Sequence, residues 1–196
     1  MIEPFINLLG KIVVAIPFFI LGSMLLSCGR VQASVDLSSG AHLYDFDNKD
    51  KAAIVGVLFM LIWSMETVQA LSQFAVSYAV EQWFFEVQVE KVGFCCTSWC
   101  SVLKGYMVGS FYHLGTFFFG AFLVTTLRVI RMIIEFMIQT EANGNKVVRC
   151  LGRCTECIIG CFEKFIEHLN KNAYMDTAMN GNGFCTAAKH ALQVMT

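Results

Sequence analysis

Residues Ala52 to Tyr78, AAIVGVLFMLIWSMETVQALSQFAVSY, constrain this chain more than any other stretch. The run is long and apolar enough to cross a bilayer, which takes about 20 residues. A lone carboxylate, Glu66, sits near its middle. On a helix, Phe59, Trp63, Glu66, Ala70, Gln73 and Ser77 fall within about 80° of one another. Val57, Leu61, Val68, Leu71 and Ala75 take the far side. The polar residues therefore share one face, and Trp63 stands one turn from the acid. An ionisable side chain at mid-membrane depth costs about 2.5 kcal/mol or more and marks function by default. Two compatible readings follow: Glu66 serves a substrate path, or it pairs with a basic or amide residue on a neighbouring helix.

Composition agrees with a membrane protein. Apolar residues make up 56% of the chain and charged residues 15%, against about 25% charged in soluble domains. The net charge of −1 gives no basic surface for nucleic acid. With only 2 Pro, no Pro-rich linker divides the chain, and its 196 residues suit one membrane domain. The expectation is an all-α fold of polytopic membrane helices with a juxtamembrane Cys-rich amphipathic helix.

Phe5 to Leu26 is a first apolar run, interrupted by Lys11 and Pro17. It is too long for a signal peptide and lacks the basic start. Neighbouring helices can re-satisfy the carbonyl freed by Pro17, so the run reads as a span. Gly29 to Lys51 is a polar loop with Asp36, Asp45, Asp47 and Asp50. After the second span, Glu86 to Ser110 mixes charges with Cys95, Cys96, Trp99 and Cys100 and reads as a surface-lying connector. Without a nearby His it makes a poor metal site. Gly105 and Gly109 carry the small-x-x-x-small spacing of close helix approach. Tyr112 to Ile138 is the third span, with Arg128, Arg131 and Glu135 on one face toward its end. Spacing alone pairs Arg131 with Glu135 inside that helix; a gating role for the two arginines is the other reading. The spans expected are thus about 5–26, 52–79 and 112–138.

Glu141–Asn145 is a turn, and a helix follows from Val147 to Leu169. Its Cys150, Cys154, Cys157 and Cys161 form one helical stripe about 16 Å long. One zinc needs every sulfur within about 2.3 Å, so no metal is expected. Acylation, helix packing and disulfides all remain compatible with the stripe. Residues 172–195 form a helical segment broken at Asn180-Gly181-Asn182-Gly183. His42, His113, His168 and His190 have no catalytic spacing and no phosphate loop occurs, so neither an enzyme nor a cofactor is expected. Lys and Arg flanking the second and third spans favour a cytosolic side for both flanks. Lys91 and Lys104 leave only a small margin, so orientation stays open.

Several blocks recur in a fixed order: Tyr112-His113-Leu114-Gly115-Thr116, Arg131-Met132-Ile133, the Cys-rich stretch, Glu163-Lys164, Asn170-Lys171-Asn172-Ala173-Tyr174, and Asn182-Gly183-Phe184-Cys185-Thr186-Ala187-Ala188-Lys189. With Leu61-Ile62-Trp63, Glu66 and Gln73, they resemble the choline transporter-like family of eukaryotic solute carriers. Asp176 departs from the apolar or small residue usual there, and residues 180–183 carry more glycine. Family members are several times longer, so the chain corresponds to an interior part of the C-terminal half. The resemblance implies transmembrane transport of choline, or a related small organic cation such as ethanolamine, without ATP. It also implies a multi-pass place in the plasma membrane, with an organelle membrane as the alternative. Trp63, Glu66 and Gln73 are the candidate substrate-binding residues, since an aromatic face and a carboxylate suit a quaternary ammonium. The expected partners are the lipid bilayer, the cargo cation, and the missing helices of a longer chain or partner subunits. The rival reading is a non-transporting structural membrane subunit or truncated relative. Gly105-x-x-x-Gly109 fits that reading too.

Overall fold

A computed structural model of the chain describes residues 3–27, 30–31, 44–45, 47–86, 94–141 and 146–195. Among them are six helices: α1 Glu3–Ser27, α2 Asn48–Glu86, α3 Phe94–Tyr112, α4 Leu114–Glu141, α5 Lys146–Asn180 and α6 Phe184–Met195. A two-residue antiparallel pair, β1 (Arg30–Val31) against β2 (Tyr44–Asp45), joins Arg30 to Asp45 and Val31 to Tyr44. The rest of the loop before Asp47, the turn residues 142–145 and the side chains of Cys95 and Cys96 lie outside the described residues. Helices α1, α2 and α4 are long and apolar enough to cross a membrane. The protein is an all-α membrane protein.

Helix α2 outruns the expected 52–79 at both ends. Residues 57–86 contain neither Gly nor Pro, so nothing local stops the helix at the membrane surface. Its 39 residues make a rod about 58 Å long, against a hydrocarbon core of about 30 Å. Helix α1 lies along it through polar contacts. Asn7 Nδ2 and Lys11 Nζ both donate to Gln69 Oε1, at 3.0 and 2.6 Å, and the Ser72 hydroxyl donates to the Glu3 carboxylate. Lys11, an interruption in the sequence, is thus a tie between helices.

The stretch read as a surface-lying connector is, from Phe94, a helix packed on α2. The reason is the glycine pair. A Cβ on Gly105 would stand 3.0 Å from both Cα and O of Ala75, and one on Gly109 would stand 2.7 Å from Leu71 Cδ1. Only bare backbone permits that approach, and the spacing of four residues puts both glycines on one face. His113 interrupts the chain between α3 and α4, yet it keeps a helical bond from its N–H to Gly109 O at 3.1 Å.

Helix α5 begins beside the end of the third span, where Gly152 touches Ile138. It then runs back antiparallel along α4, until Asn170 and Tyr174 reach Gly120. It does not end at Leu169 but continues to Asn180. The expected break is there: Gly181 takes φ 67° and donates its N–H to Thr177 O at 3.0 Å. A left-handed glycine just past the last turn is a common helix stop, because it lacks the Cβ that disfavours that region. Gly183 O then accepts from Thr186 and Ala187 to start α6. The core lies where α2, α4 and α5 meet, around Ala70, Phe74, Phe117 and Tyr174, with Phe184 of α6 against it. Phe117 meets Tyr174 edge to face at 5.6 Å, an arrangement aromatic quadrupoles favour.

Candidate functional site

Just off that core, Glu66 meets charge from a neighbouring helix. The Arg128 guanidinium on α4 forms an ion pair with the Glu66 carboxylate. Arg128 Nε also reaches Glu163 Oε1 on α5 at 3.1 Å. Arg131, one turn on, gives Nη1 to Glu163 Oε2 at 3.2 Å and approaches Glu156 at 3.9 Å. The expected Arg131–Glu135 pair is corrected by this arrangement. Antiparallel α5 presents acids at 156 and 163, two turns apart, so the arginines bond across helices. A guanidinium fork suits such double engagement, since it offers five donors in a fixed plane. The set joins α2, α4 and α5 with two guanidinium groups among three carboxylates.

A small cavity of about 30 Å³ opens beside Glu66. That is room for a water or two. Glu66 and Gln73 of α2 line it, and so do Glu167, Asn170, Lys171 and Tyr174 of α5. Lys171 Nζ and Glu167 are paired at 3.0 Å, one turn apart, so they add no net charge. Asn170 is buried, and its Nδ2 donates to Gly120 O at 2.8 Å. Gly120 has to be glycine: a Cβ there would stand 2.9 Å from Phe184 Cε2 and 3.0 Å from Tyr174 Cζ.

Of the three candidate substrate-binding residues, Glu66 and Gln73 line this cavity and Trp63 does not. Trp63 lies against α4, where its indole N–H donates to Phe118 O at 3.0 Å. Its ring packs on Phe118 and Phe122 at 5.6 and 5.7 Å between centroids. The aromatic at the cavity is Tyr174. Glu163, Glu167, Asn170 and Tyr174 recur at steps of four, three and four, the signature of one helical face. That periodicity is the sequence signal for α5 as the second wall. Cys150, Cys154, Cys157 and Cys161 are exposed, with free thiols.

Asp176 has a local role. Its carboxylate accepts from Asn180 Nδ2 at 2.7 Å and Asn182 Nδ2 at 3.4 Å, and it lies 3.4 Å from His190 Nδ1 on α6. The Asn and Gly residues of the α5–α6 turn thus come with an acid that holds the turn.

The whole chain, residues 1–196, matches the family described as plasma-membrane choline transporter. Human choline transporter-like protein 3 is 33% identical over 141 residues, which cover 71% of this chain and 21% of that protein. Choline transporter-like protein 2 of Dictyostelium discoideum is 30% identical over 154 residues, covering 78% and 24%. Human choline transporter-like protein 4 is 34% identical over 146 residues, covering 72% and 19%. The chain spans about a fifth of the length of these curated relatives. With a match running from its first residue to its last, the chain belongs to the choline transporter-like family.

Proposed function

We propose that this chain forms part of a path for choline, or a related small organic cation, within one membrane domain of a longer transporter in the plasma membrane. The observation that carries the reading is the ionic set at Glu66. It keeps an ionisable carboxylate, Glu66, in an ionic network among helices of a membrane protein, beside a cavity that Tyr174 also lines. A quaternary ammonium has no hydrogen-bond donor and is attracted by negative charge and aromatic faces. Glu66 supplies the charge, Tyr174 the ring, and Gln73 a polar wall. Trp63 contributes by fixing α2 on α4, which keeps Arg128 in reach of Glu66. The cavity as it stands is the closed form of the site. Cargo enters when α5 parts from α2 and the cation competes with Arg128 for Glu66. Transport of this kind involves no catalytic step and needs no cofactor.

The Glu66–Arg128 pair also favours a second reading, in which Glu66 only holds helices together in a structural subunit. Glu66→Gln separates the two in the complete protein, with labelled choline uptake and surface abundance measured side by side. The transport reading expects normal abundance and affinity weakened at least about tenfold, since a charge-assisted contact is worth about 1.5–3 kcal/mol. Normal affinity at normal abundance overturns it. Lower abundance with unchanged affinity in the surviving protein supports the structural reading.

A further inference from the structure

Asn170 is 3% exposed and lines the cavity beside Glu66. Its amide orientation is fixed, because Nδ2 donates to Gly120 O. That bond leaves Oδ1, which is buried without a hydrogen-bond partner among the described residues. Thr125 Oγ1 is also buried and unpartnered, but Thr125 does not line the cavity. A buried acceptor with no donor is unfavourable enough that native structures rarely keep one. The donors nearest in sequence do not serve it: Lys171 Nζ is held by Glu167. Glu66, Tyr174 and Asn170 thus line one cavity, and the unsatisfied oxygen of Asn170 is closed off in this form of the site.

A tetra-alkylammonium ion offers Asn170 nothing, because it has no O–H or N–H. An amino alcohol does: its hydroxyl is a donor two carbons from the cationic nitrogen. We propose that Asn170 Oδ1 accepts the hydroxyl proton of the cargo, so that the site selects cationic amino alcohols over alkylammonium ions of the same size. Asn170 is then a specificity-determining residue, and Glu66 meets the other end of the molecule. The inference rests on the transport reading above.

The test compares choline with ethyltrimethylammonium, which differs only by the missing hydroxyl. Both compete against labelled choline uptake by the complete protein, for the unsubstituted chain and for Asn170→Leu and Asn170→Ser. Surface abundance is measured throughout. The unsubstituted protein should prefer choline by about tenfold or more, since a site built to bind a hydroxyl strongly rejects the analogue without it. In Asn170→Leu the ratio should fall to near one, through weaker choline binding and little change for ethyltrimethylammonium. Asn170→Ser keeps an acceptor oxygen in a smaller side chain and should retain part of the preference. If Asn170→Leu does not reach the surface, loss of part of the preference in Asn170→Ser decides the matter. Saturable choline uptake with equal inhibition by both ions overturns the assignment while leaving the transport reading intact. So does a full preference that survives in both variants. No choline uptake by the unsubstituted protein overturns the transport reading and this inference with it.

Discussion

Helix α2 has two working sides, and they are built on opposite principles. Against α3 it meets Gly105 and Gly109, residues with no side chain at all, and the helices close until Cα and carbonyl of Ala75 lie beside Gly105. Against α4 and α5 it meets Arg128, and through it Glu163 and Arg131, with Asn170 and Tyr174 nearby. The first seam gains from dispersion at close backbone approach. The second keeps charges in a place where charge is unfavourable. A chain selected for stability alone would extend the first kind of seam, since replacing buried ion pairs by apolar packing is often neutral or stabilising. The contrast separates what holds α2 in place from what α2 holds.

The sharpest way to break the contrast is to unbalance the charged seam. Arg128→Gln leaves Glu66 without its partner and Glu163 with Arg131 alone. Removing one member of a buried ion pair costs about 3 kcal/mol; Arg128 and Glu66 are half-buried, so that figure is the upper bound for the loss, read as a fall in unfolding midpoint in nanodiscs. Arg128→Gln paired with Glu66→Gln should recover part of that loss, because neither side is then left charged and alone. If the double variant is no better than Arg128→Gln, the two side chains do not act as a pair.

The glycine seam should respond differently. Gly105→Ala places a methyl against the backbone of Ala75, which cannot swing aside, whereas Gly109→Ala meets the movable ends of Leu71 and Phe74. Overpacking costs about 1–3 kcal/mol. Gly105→Ala should sit at the upper end of that range and Gly109→Ala at the lower, read as lost surface abundance. In transport terms, both should leave the choline affinity of the surviving protein unchanged. A shift in affinity from Gly105→Ala would join the seams into one functional unit.

The two seams also differ in how far the sequence exposes them. Gly105-x-x-x-Gly109 is visible as a spacing, but the charges and cysteines before it made the segment read as a connector. The partner helix decides the matter, and α2 does not declare its far face by composition. Glu66 with Gln73 on one face was legible, because a lone acid in an apolar run stands out by its cost. The break at Gly181 was legible too, from glycine chemistry alone. Helix α5 was harder. Its acids make it too polar to read as a span, and their partners are arginines 25 to 35 residues earlier in the chain. Local spacing offered Arg131 a nearer partner in Glu135, and only the antiparallel return of α5 shows why it was not taken. Asn170 needed more than spacing: its unsatisfied oxygen is a property of the packed structure.

Trp63 tests the boundary between the two kinds of contact. Its N–H bond to Phe118 O and its ring contacts clamp α2 to α4 on the charged side, yet it contributes no charge. Trp63→Phe keeps an aromatic ring and removes the donor. The loss of one such bond is worth about 1 kcal/mol, and a small fall in thermal stability with near-normal choline affinity is expected. A tenfold affinity loss with full stability would bring Trp63 into the site itself.

The smallest effect belongs to Asp176, at the far end of α5 from the arginines. It holds Asn180, Asn182 and His190, so it sets the angle at which α6 leaves the turn. Asn180 and His190 are exposed, and contacts of that kind contribute about 0–1 kcal/mol. Asp176→Ala should therefore shift global unfolding by less than about 1 kcal/mol. Its local effect is larger, because Gly181 and Gly183 give the turn little stiffness of their own. Amide exchange at Phe184 to Ala187, the first turn of α6, should quicken while α4 and the middle of α5 stay unchanged. Tyr174 packs on Phe184 at 6.4 Å between centroids, so any slackening of α6 reaches the cavity through that ring. If exchange in α6 is unaltered, the glycines and the Tyr174–Phe184 contact position the helix without Asp176. If exchange quickens along α5 as well, the turn is part of the charged seam and the division between the two sides of the molecule has to be redrawn there.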